Sequence, residues 1–378
     1  MDGVNLFDAK LSIQNRKELK TCLTNLKKHI KKYICNLKMD SFGVKVLQKA
    51  HDKESKIKQQ IYILKKTTLR LRAELFITFY KLHSQINSME VNMADGCVSN
   101  YLTYLRGLQS HGSDLQRASA ELLLPFVCGT LAFIKASLCI MAKQTVTQNI
   151  TNLYQSSLEC NFVNGKLKCV SMLYCSGQYD KAADMLNHCE SLLGHDVDHY
   201  CVCCVREYQY QSATFFRKCL HTSTVDLLKT SCTSCVMFCK HELPCVPEHL
   251  QYEIYRTQTQ KDKNERNIFN EWMDLVVIAS VPFLYYLQYL VFSQKGNLPR
   301  RLLVMFHLMD YFTHGLGKAL FEVGCGHTDT ALHMLAHCWE LENRPDVAWR
   351  LYQRSINIYP TNNITWVHLI RLFRKYVL

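Results

Sequence analysis

Near the C-terminus, small and large apolar residues recur with a spacing that constrains the fold more than any other feature of the chain. The stretch is "ALHMLAHCWELENRPDVAWRLYQRSINIYPTNNITWVHLIRLF". Small residues stand where two helices would cross, and large residues stand where they would fill the space between them. The pattern therefore predicts a helical hairpin that ends at a proline. Its defining residues are Leu332, Leu335, Ala336, Trp339, Ala348, Tyr352 and Pro360.

The same pattern begins again after one period of about 34 residues, which is the period of the tetratricopeptide repeat. The residues that begin the second period are Trp366, Leu369 and Phe373. Ile370 departs from the pattern, because a Gly or Ala is expected at its position. We therefore interpret the last segment as a capping helix and not as a full repeat.

A second, less regular unit lies in "CVSMLYCSGQYDKAADMLNHCESL", which begins at Cys169. Its matching residues are Gly177, Tyr179, Ala182, Leu186 and Cys189. The distance from Ala182 to Ala348 is not a multiple of the repeat length, so the array between them is irregular. The sequence predicts an all-α protein whose residues 149–378 form an irregular tetratricopeptide-like α-solenoid.

The N-terminal segment is strongly basic. Residues 1–72 contain 18 Lys and Arg against 6 Asp and Glu, although the rest of the chain is almost neutral. Apolar residues from Leu19 to Leu37 and from Ile57 to Met89 recur in steps of three and four, which predicts two long helices within residues 1–90. These helices either form a hairpin or coiled coil within one chain or pair with a second chain.

The basic side chains lie off the two apolar seams, and their simplest interpretation is the solvated surface of a coiled coil. The alternative is a surface for an acidic partner such as nucleic acid, since few carboxylates are present to pair with them. The candidate residues are Lys27, Lys28, Lys31, Lys32, Lys65, Lys66, Arg70 and Arg72.

A cysteine-rich stretch, "TSCTSCVMFCKHELPC", raises the question of a metal site. Its candidate ligands are Cys232, Cys235, Cys239, His241 and Cys245. The spacing of the first three cysteines predicts one face of a helix, where free thiols act as small apolar side chains. A structural zinc site is the alternative, although such sites usually show two separated C-x2-C pairs. We expect no cofactor.

The N-terminus lacks a signal peptide, so we expect a cytoplasmic protein with reduced cysteines. Helices are also expected in the connector of residues 91–148. Two apolar runs, from Glu121 and from Leu275, are interrupted by Pro, Gly or polar residues. We therefore expect buried helices there and no membrane span.

From about residue 152 to the C-terminus, the chain resembles a tetratricopeptide-like helical region of poorly characterised invertebrate proteins. The resemblance includes "LPCVPEHLQYEIYR" and the C-terminal repeat. In many of these proteins the region follows a nucleotidyltransferase domain of the male-abnormal, cyclic-GMP-AMP-synthase-like kind. The resemblance implies a helical interaction module connected with innate immune signalling, and it implies no activity.

No catalytic constellation is visible in the sequence. Asp196 and Asp198 have the mutual spacing of a nucleotidyltransferase acidic pair, but no Gly-Ser turn precedes them. We therefore expect a non-enzymatic scaffold or adaptor that binds a peptide or helix of a protein partner in its repeat groove. The alternatives are a nucleic-acid-binding or sensing protein that uses the basic helices, and a regulator related to the nucleotidyltransferases.

The nucleic-acid hypothesis has a direct test. Changing Lys27, Lys28, Lys31 and Lys32 together to Gln should abolish binding of DNA or RNA without unfolding the chain, because all four side chains lie off the apolar seam. Electrophoretic mobility shift at two salt concentrations measures the effect. Equal retention of nucleic acid by the variant and the parent would exclude this segment as the binding surface.

Overall fold

The computed structural model describes residues 78, 80–158, 162–193, 198–200, 232–257, 263–264, 266, 272–314 and 327–376. These residues are mostly helical, which confirms the all-α prediction in its coarse form. The eight basic candidates of the N-terminal segment lie outside the described residues.

Eleven α-helices and four short strands have defined limits among the described residues. The helices are α1 (Val91–His111), α2 (Asp114–Met141), α3 (Gln148–Leu158), α4 (Val163–Cys175), α5 (Tyr179–Leu192), α6 (Glu248–Gln251), α7 (Ser280–Gln294), α8 (Leu298–Asp310), α9 (Thr328–Leu341), α10 (Pro345–Ile358) and α11 (Thr365–Tyr376). The strands are β1 (Asp198–Tyr200), β2 (Cys232–Ser234), β3 (Val236–Phe238) and β4 (Val276–Ile278). 3₁₀ helices span Lys240–Cys245 and Tyr252–Tyr255, and residues 272–274 form a further 3₁₀ turn.

The chain divides into two compact units. The first comprises Met1–Phe79, Leu102–Leu124 and Ala213–Lys229, and only residues 78 and 102–124 of it are described. The second comprises Tyr80–Tyr101, Pro125–Ser212 and Thr230–Leu378. The contacts reported below lie within the second unit. The domain boundaries after residues 90 and 148 stay a prediction.

Three helical hairpins with the same turn geometry form most of the second unit: α4 with α5, α7 with α8, and α9 with α10. Each turn has a residue with positive φ in its middle, Gly177 (76°), Gly296 (65°) or Asn343 (57°). In each turn this residue and the next donate to helix carbonyls three and five residues back, which is the Schellman motif. The predicted turn glycine Gly177 is thus confirmed, whereas the α7–α8 hairpin is a finding of the structure.

Helix α7 lies at the centre of the core, because it packs against α4, α5, α8 and α9. Most of its side chains are buried. Phe133 of α2, Phe238 of β3 and Phe283 of α7 contact one another edge to face, with ring centroids 6.3 and 6.2 Å apart. Burial of such side chains contributes about 1.5–3 kcal/mol each, so these rings are a main source of stability for this unit.

Two predictions of helix are corrected by the structure. Cys232, Cys235 and Cys239 do not share one face of a helix, because Cys232–Ser234 and Val236–Phe238 form strands β2 and β3 and a 3₁₀ helix begins only at Lys240. The apolar run from Leu275 begins with strand β4 and becomes helical only at Ser280. β1 pairs in parallel with β2, and β3 pairs antiparallel with β4. β-branched and aromatic side chains, buried on both faces of β3 and β4, favour strands over a short helix.

The predicted elements near the N-terminal side of this unit are partly described. Residues 80–88 are helical and lie at the end of the range predicted for the second N-terminal helix, with Leu82 and Ile86 of its seam buried.

Among the described residues, one helical stretch, Ser119–Met141, is long and apolar enough to cross a membrane. Two thirds of its most apolar window (67%) is buried within the protein, as in the core helix of a globular protein.

A buried ion pair connects the helical segment at residues 80–88 to the core. Lys168 Nζ lies 2.6 Å from Glu242 Oε1, and His83 Nε2 lies 3.3 Å from Glu242 Oε2. Burial alone would raise the pKa of Glu242, but the charges of Lys168 and His83 lower it to about 2. The carboxylate is therefore ionised, and removal of Lys168 would leave it without its permanent positive partner.

The α9–α10 crossing gives a stability prediction. Ala348 is fully buried in a cluster with Ala336 and Tyr352, so Ala348→Leu should lower the free energy of unfolding by about 1–3 kcal/mol through overpacking. Arg350 is exposed and pairs only with the exposed Asp346. Arg350→Leu should change stability by no more than about 0.5 kcal/mol.

Urea unfolding of both variants and of the parent checks this prediction. Equal stability of the two variants would show that the helices do not cross at Ala348.

Candidate binding groove

Helix α11 is apolar on two faces. Its inner face packs against α10 and contributes the buried residues Leu369 and Leu372. Its outer face carries Trp366, Ile370 and Phe373, which are 56%, 54% and 46% exposed. The spacing of these three residues places them in one stripe along the helix. Trp366 and Phe373, which mark the start of the second period in the sequence, are therefore exposed in the structure.

The exposed stripe lines a groove between α10 and α11 with a volume of about 710 Å³. Trp349 of α10, 38% exposed, lies on the opposite side of the groove. The groove is lined by Trp349, Gln353, Ile356, Asn357, Trp366, Leu369, Ile370, Phe373 and Arg374. Apolar clusters of this kind on a protein surface are typical of binding sites.

The charge around the groove is positive. No carboxylate lines it, and α11 contains no Asp or Glu. Arg374 and Lys375 are exposed in its last turn, and neither forms an ion pair within the part of the chain that the structure describes. Lys375 Nζ lies over the ring of Tyr376, 4.9 Å from its centroid. A ligand with carboxylates beside its apolar side chains would match this surface.

A buried polar network fixes the helices that form the groove. The guanidinium of Arg256 is fully buried and donates to the carboxylates of Glu253 and Asp329, with 2.5 Å to Glu253 Oε2. It also donates to the hydroxyl of Thr330 and lies over the ring of Trp272, 5.2 Å from its centroid. Burial alone would lower the pKa of Arg256, but the two carboxylates raise it, so the side chain stays charged.

His333 extends this network from α9 to α10 and α11. Its Nδ1 lies 2.6 Å from Glu253 Oε1, and its Nε2 lies 2.6 Å from Thr365 Oγ1 and 3.0 Å from Ser355 Oγ. The amide of Asn363 donates to the backbone oxygen of Ser355 and accepts from the backbone N–H of Thr365. One imidazole thus sets the positions of three helices.

Glu340 provides a second connection between the same helices. Its Oε1 accepts from the hydroxyl of Tyr352 at 2.6 Å and from Nη2 of Arg371 at 2.5 Å. The Tyr376 hydroxyl donates to the Glu340 backbone oxygen at 3.2 Å. These bonds hold the inner face of α11 against α9 and α10, so the outer stripe is presented on a rigid support.

Four aromatic rings stack beneath the groove. The ring centroids of His337 and His249, and of His249 and His368, are each 4.1 Å apart, and His368 stacks on Tyr352 at 5.2 Å. A cavity of about 200 Å³ lies beside them. It is lined by Tyr174, Pro247, Glu248, His249, Tyr252, Tyr286, Leu290, His337 and Arg371.

Comparison with protein-family profiles, with curated proteins and with solved structures found no match for this chain.

The cysteine candidates are distributed among separate contacts. Burial raises the pKa of the Cys239 and Cys245 thiols, the latter to about 12, so both are protonated at neutral pH. Cys245 Sγ is hydrogen-bonded to Ser137 Oγ at 3.2 Å. His241 Nε2 lies 2.9 Å from the carbonyl oxygen of Met89. Cys235 is buried, and the side chain of Cys232 is outside the described residues.

The repeat-defining residues are either packed within the helices or, as for Trp366, Phe373 and Pro360, exposed. Most are buried in the C-terminal helices or partly buried against them: Leu332, Leu335, Ala336, Trp339, Ala348, Tyr352 and Leu369. Pro360 is exposed in the turn that follows α10.

The histidines of the buried network were missed by sequence reasoning, and the i, i+4 pair His333 and His337 was the one available signal for them.

The buried histidines predict a loss of stability in acid. The pKa of His337 is lowered to about 3, by burial first and then by the positive charges of Arg371 and Lys375. An unfolded histidine titrates near 6.5, so below this pH the unfolded chain binds more protons than the folded chain. The contribution of His337 is complete above pH 6.5 and should fall by about 2 kcal/mol between pH 7 and pH 5.

Denaturant unfolding of the parent and of His337→Phe across this pH range measures the difference. The variant should show the smaller decrease, and equal pH dependence of the two proteins would contradict the assignment.

Proposed function

We propose that the second unit is a non-enzymatic protein-interaction module, an irregular tetratricopeptide-like stack of helical hairpins that binds a helix of a partner protein. The observation that carries the proposal is the exposed stripe of Trp366, Ile370 and Phe373 beside Trp349. The three helical hairpins have the same hydrogen-bond pattern in their turns, and this regularity supports the description of the unit as a stack of repeats. Large aromatic side chains in a groove are the residues that most often dominate binding energy.

The occupant that fits this groove is an amphipathic helix with acidic residues beside its apolar face. The stripe on α11 has the i, i+4, i+7 spacing with which one helix packs against another. It extends over about two turns, or roughly 10 Å, which is the contact length of a short helix. The basic residues Arg374 and Lys375 favour carboxylates on the partner.

Peptide selection tests this proposal without knowledge of the partner. The full chain should select, from a displayed library of random peptides, sequences with apolar residues at helical spacing and flanking Glu or Asp. Fluorescence anisotropy of the selected peptide should show at least about tenfold weaker binding to Trp366→Ala, because a central aromatic contact is lost. Binding should weaken only modestly with rising salt, since the apolar contact contributes more than the two exposed cations.

Phe306→Ala is the matched control, because Phe306 is 61% exposed on α8 and outside the groove. It should bind the peptide as the parent does. Equal binding by Trp366→Ala and Phe306→Ala would exclude the groove. Binding of an RNA or DNA oligonucleotide that falls steeply with rising salt and is equal in Trp366→Ala and the parent would favour the alternative, in which the basic residues of the N-terminal segment contact nucleic acid.

A further inference from the structure

Three side chains from separate elements converge at one buried point of the second unit. Glu253 lies in a 3₁₀ helix, His333 in α9 and His368 in α11, and all three are fully buried. One carboxylate oxygen and one ring nitrogen from each histidine lie within 4.8 Å of one another. Two imidazoles and one carboxylate are a donor set of zinc enzymes and of other divalent transition-metal sites.

The hydrogen bonding of His368 is the observation that points to a ligand. Neither of its ring nitrogens makes a hydrogen bond within the part of the chain that the structure describes. A neutral imidazole always carries one N–H and one lone pair, and leaving such groups unsatisfied in a core costs about 1–3 kcal/mol each. A metal ion would take the lone pair of the nitrogen that lies 4.0 Å from Glu253 Oε1.

The distances are close to those of a tetrahedral site. Zinc–nitrogen bonds of about 2.0–2.1 Å place two ligand atoms about 3.3 Å apart. Glu253 Oε1 lies 2.6 Å from His333 Nδ1 and 4.0 Å from His368 Nε2. Both separations therefore reach the tetrahedral value through side-chain shifts of less than about 1 Å.

The surrounding groups orient Glu253 and His333 as in known metal sites, where the second nitrogen of a ligating histidine donates to an oxygen. His333 Nε2 is bonded to Thr365 Oγ1, which leaves Nδ1 directed at Glu253. Arg256 holds the other oxygen of Glu253 at 2.5 Å. These contacts fix both side chains before any ion binds.

Charge balance also favours a cation. The carboxylates of Glu253 and Asp329 face one permanent positive charge, that of Arg256, so one negative charge remains in a fully buried cluster. A divalent ion would compensate the charge and bind His368 as well.

We propose that Glu253, His333 and His368 form a binding site for a divalent transition-metal ion, with Zn²⁺ as the best match to the donor set. The ion connects the 3₁₀ helix at Tyr252–Tyr255 to α9 and α11. His249 and Tyr252, which contact the ring of His368, also line the cavity of about 200 Å³, and this cavity gives the ion a route from the surface. None of the three proposed ligands lines the groove or belongs to the cysteine-rich segment.

Metal binding to the full chain tests the proposal. The protein is stripped with a chelator, and Zn²⁺ is then titrated in competition with a chromophoric chelator. One Zn²⁺ per chain should bind and raise the midpoint of thermal unfolding. His368→Phe should weaken binding at least about tenfold. Phenylalanine keeps a ring between His249 and Tyr352, so this variant is expected to fold.

A matched control separates this site from the cysteines. Cys239→Ser should bind Zn²⁺ as the parent does, and the Co²⁺-loaded parent should show visible d–d bands without a thiolate charge-transfer band. Failure of the parent to bind Zn²⁺ would overturn the proposal. So would equal binding by His368→Phe, or a thiolate charge-transfer band that is lost in Cys239→Ser.

Discussion

The buried charge of Arg256 is the constraint on which the C-terminal helices depend. A guanidinium in a core is tolerated only with carboxylate partners, and Arg256 has Glu253 beside it in the chain and Asp329 from α9. Glu253 in turn bonds to His333, and His333 to the first residue of α11. The positions of α9 and α11 are thus set by a continuous chain of hydrogen bonds that starts at one cation.

An incomplete network of buried polar groups destabilises the folded state. The network therefore favours one arrangement of the helices over others. Apolar packing alone tolerates small shifts between helices, whereas a displaced helix here would leave a buried charge or hydroxyl without its partner. The same reasoning explains why α11 can have an apolar outer face without turning that face inward. His368 and Thr365 lie on its inner face, and rotation of the helix would take Thr365 away from His333.

The sequence predicts the parts of the fold that depend on local spacing. The α9–α10 hairpin follows from small residues at a crossing and large residues at period 3.6, and the turn at Gly177 follows from a glycine between two such segments. The α7–α8 hairpin was missed because α7 is buried on nearly all sides and has no apolar stripe. Strands β2 and β3 are three residues long each. They are too short for an alternation of apolar and polar residues to predict a strand.

The candidate sites were less predictable. The contact between Glu253 and His333 joins residues 80 positions apart, and no local pattern encodes it. Trp366 and Phe373 were recognised from their spacing. Whether another helix covers them depends on tertiary packing, which the spacing does not encode. The cysteine spacing suggested one helical face, whereas short strands and a 3₁₀ helix place these thiols in different contacts.

The buried pair of Lys168 and Glu242 has a consequence for dissecting the protein into fragments. His83 contacts both side chains, and Asn87 bonds to the backbone of Lys240 and of Asp274. A cut at residue 90, where the sequence suggests a boundary, would remove these contacts and expose the ion pair to water on one side. A fragment that retains these contacts therefore includes the helical turns from residue 80 onward.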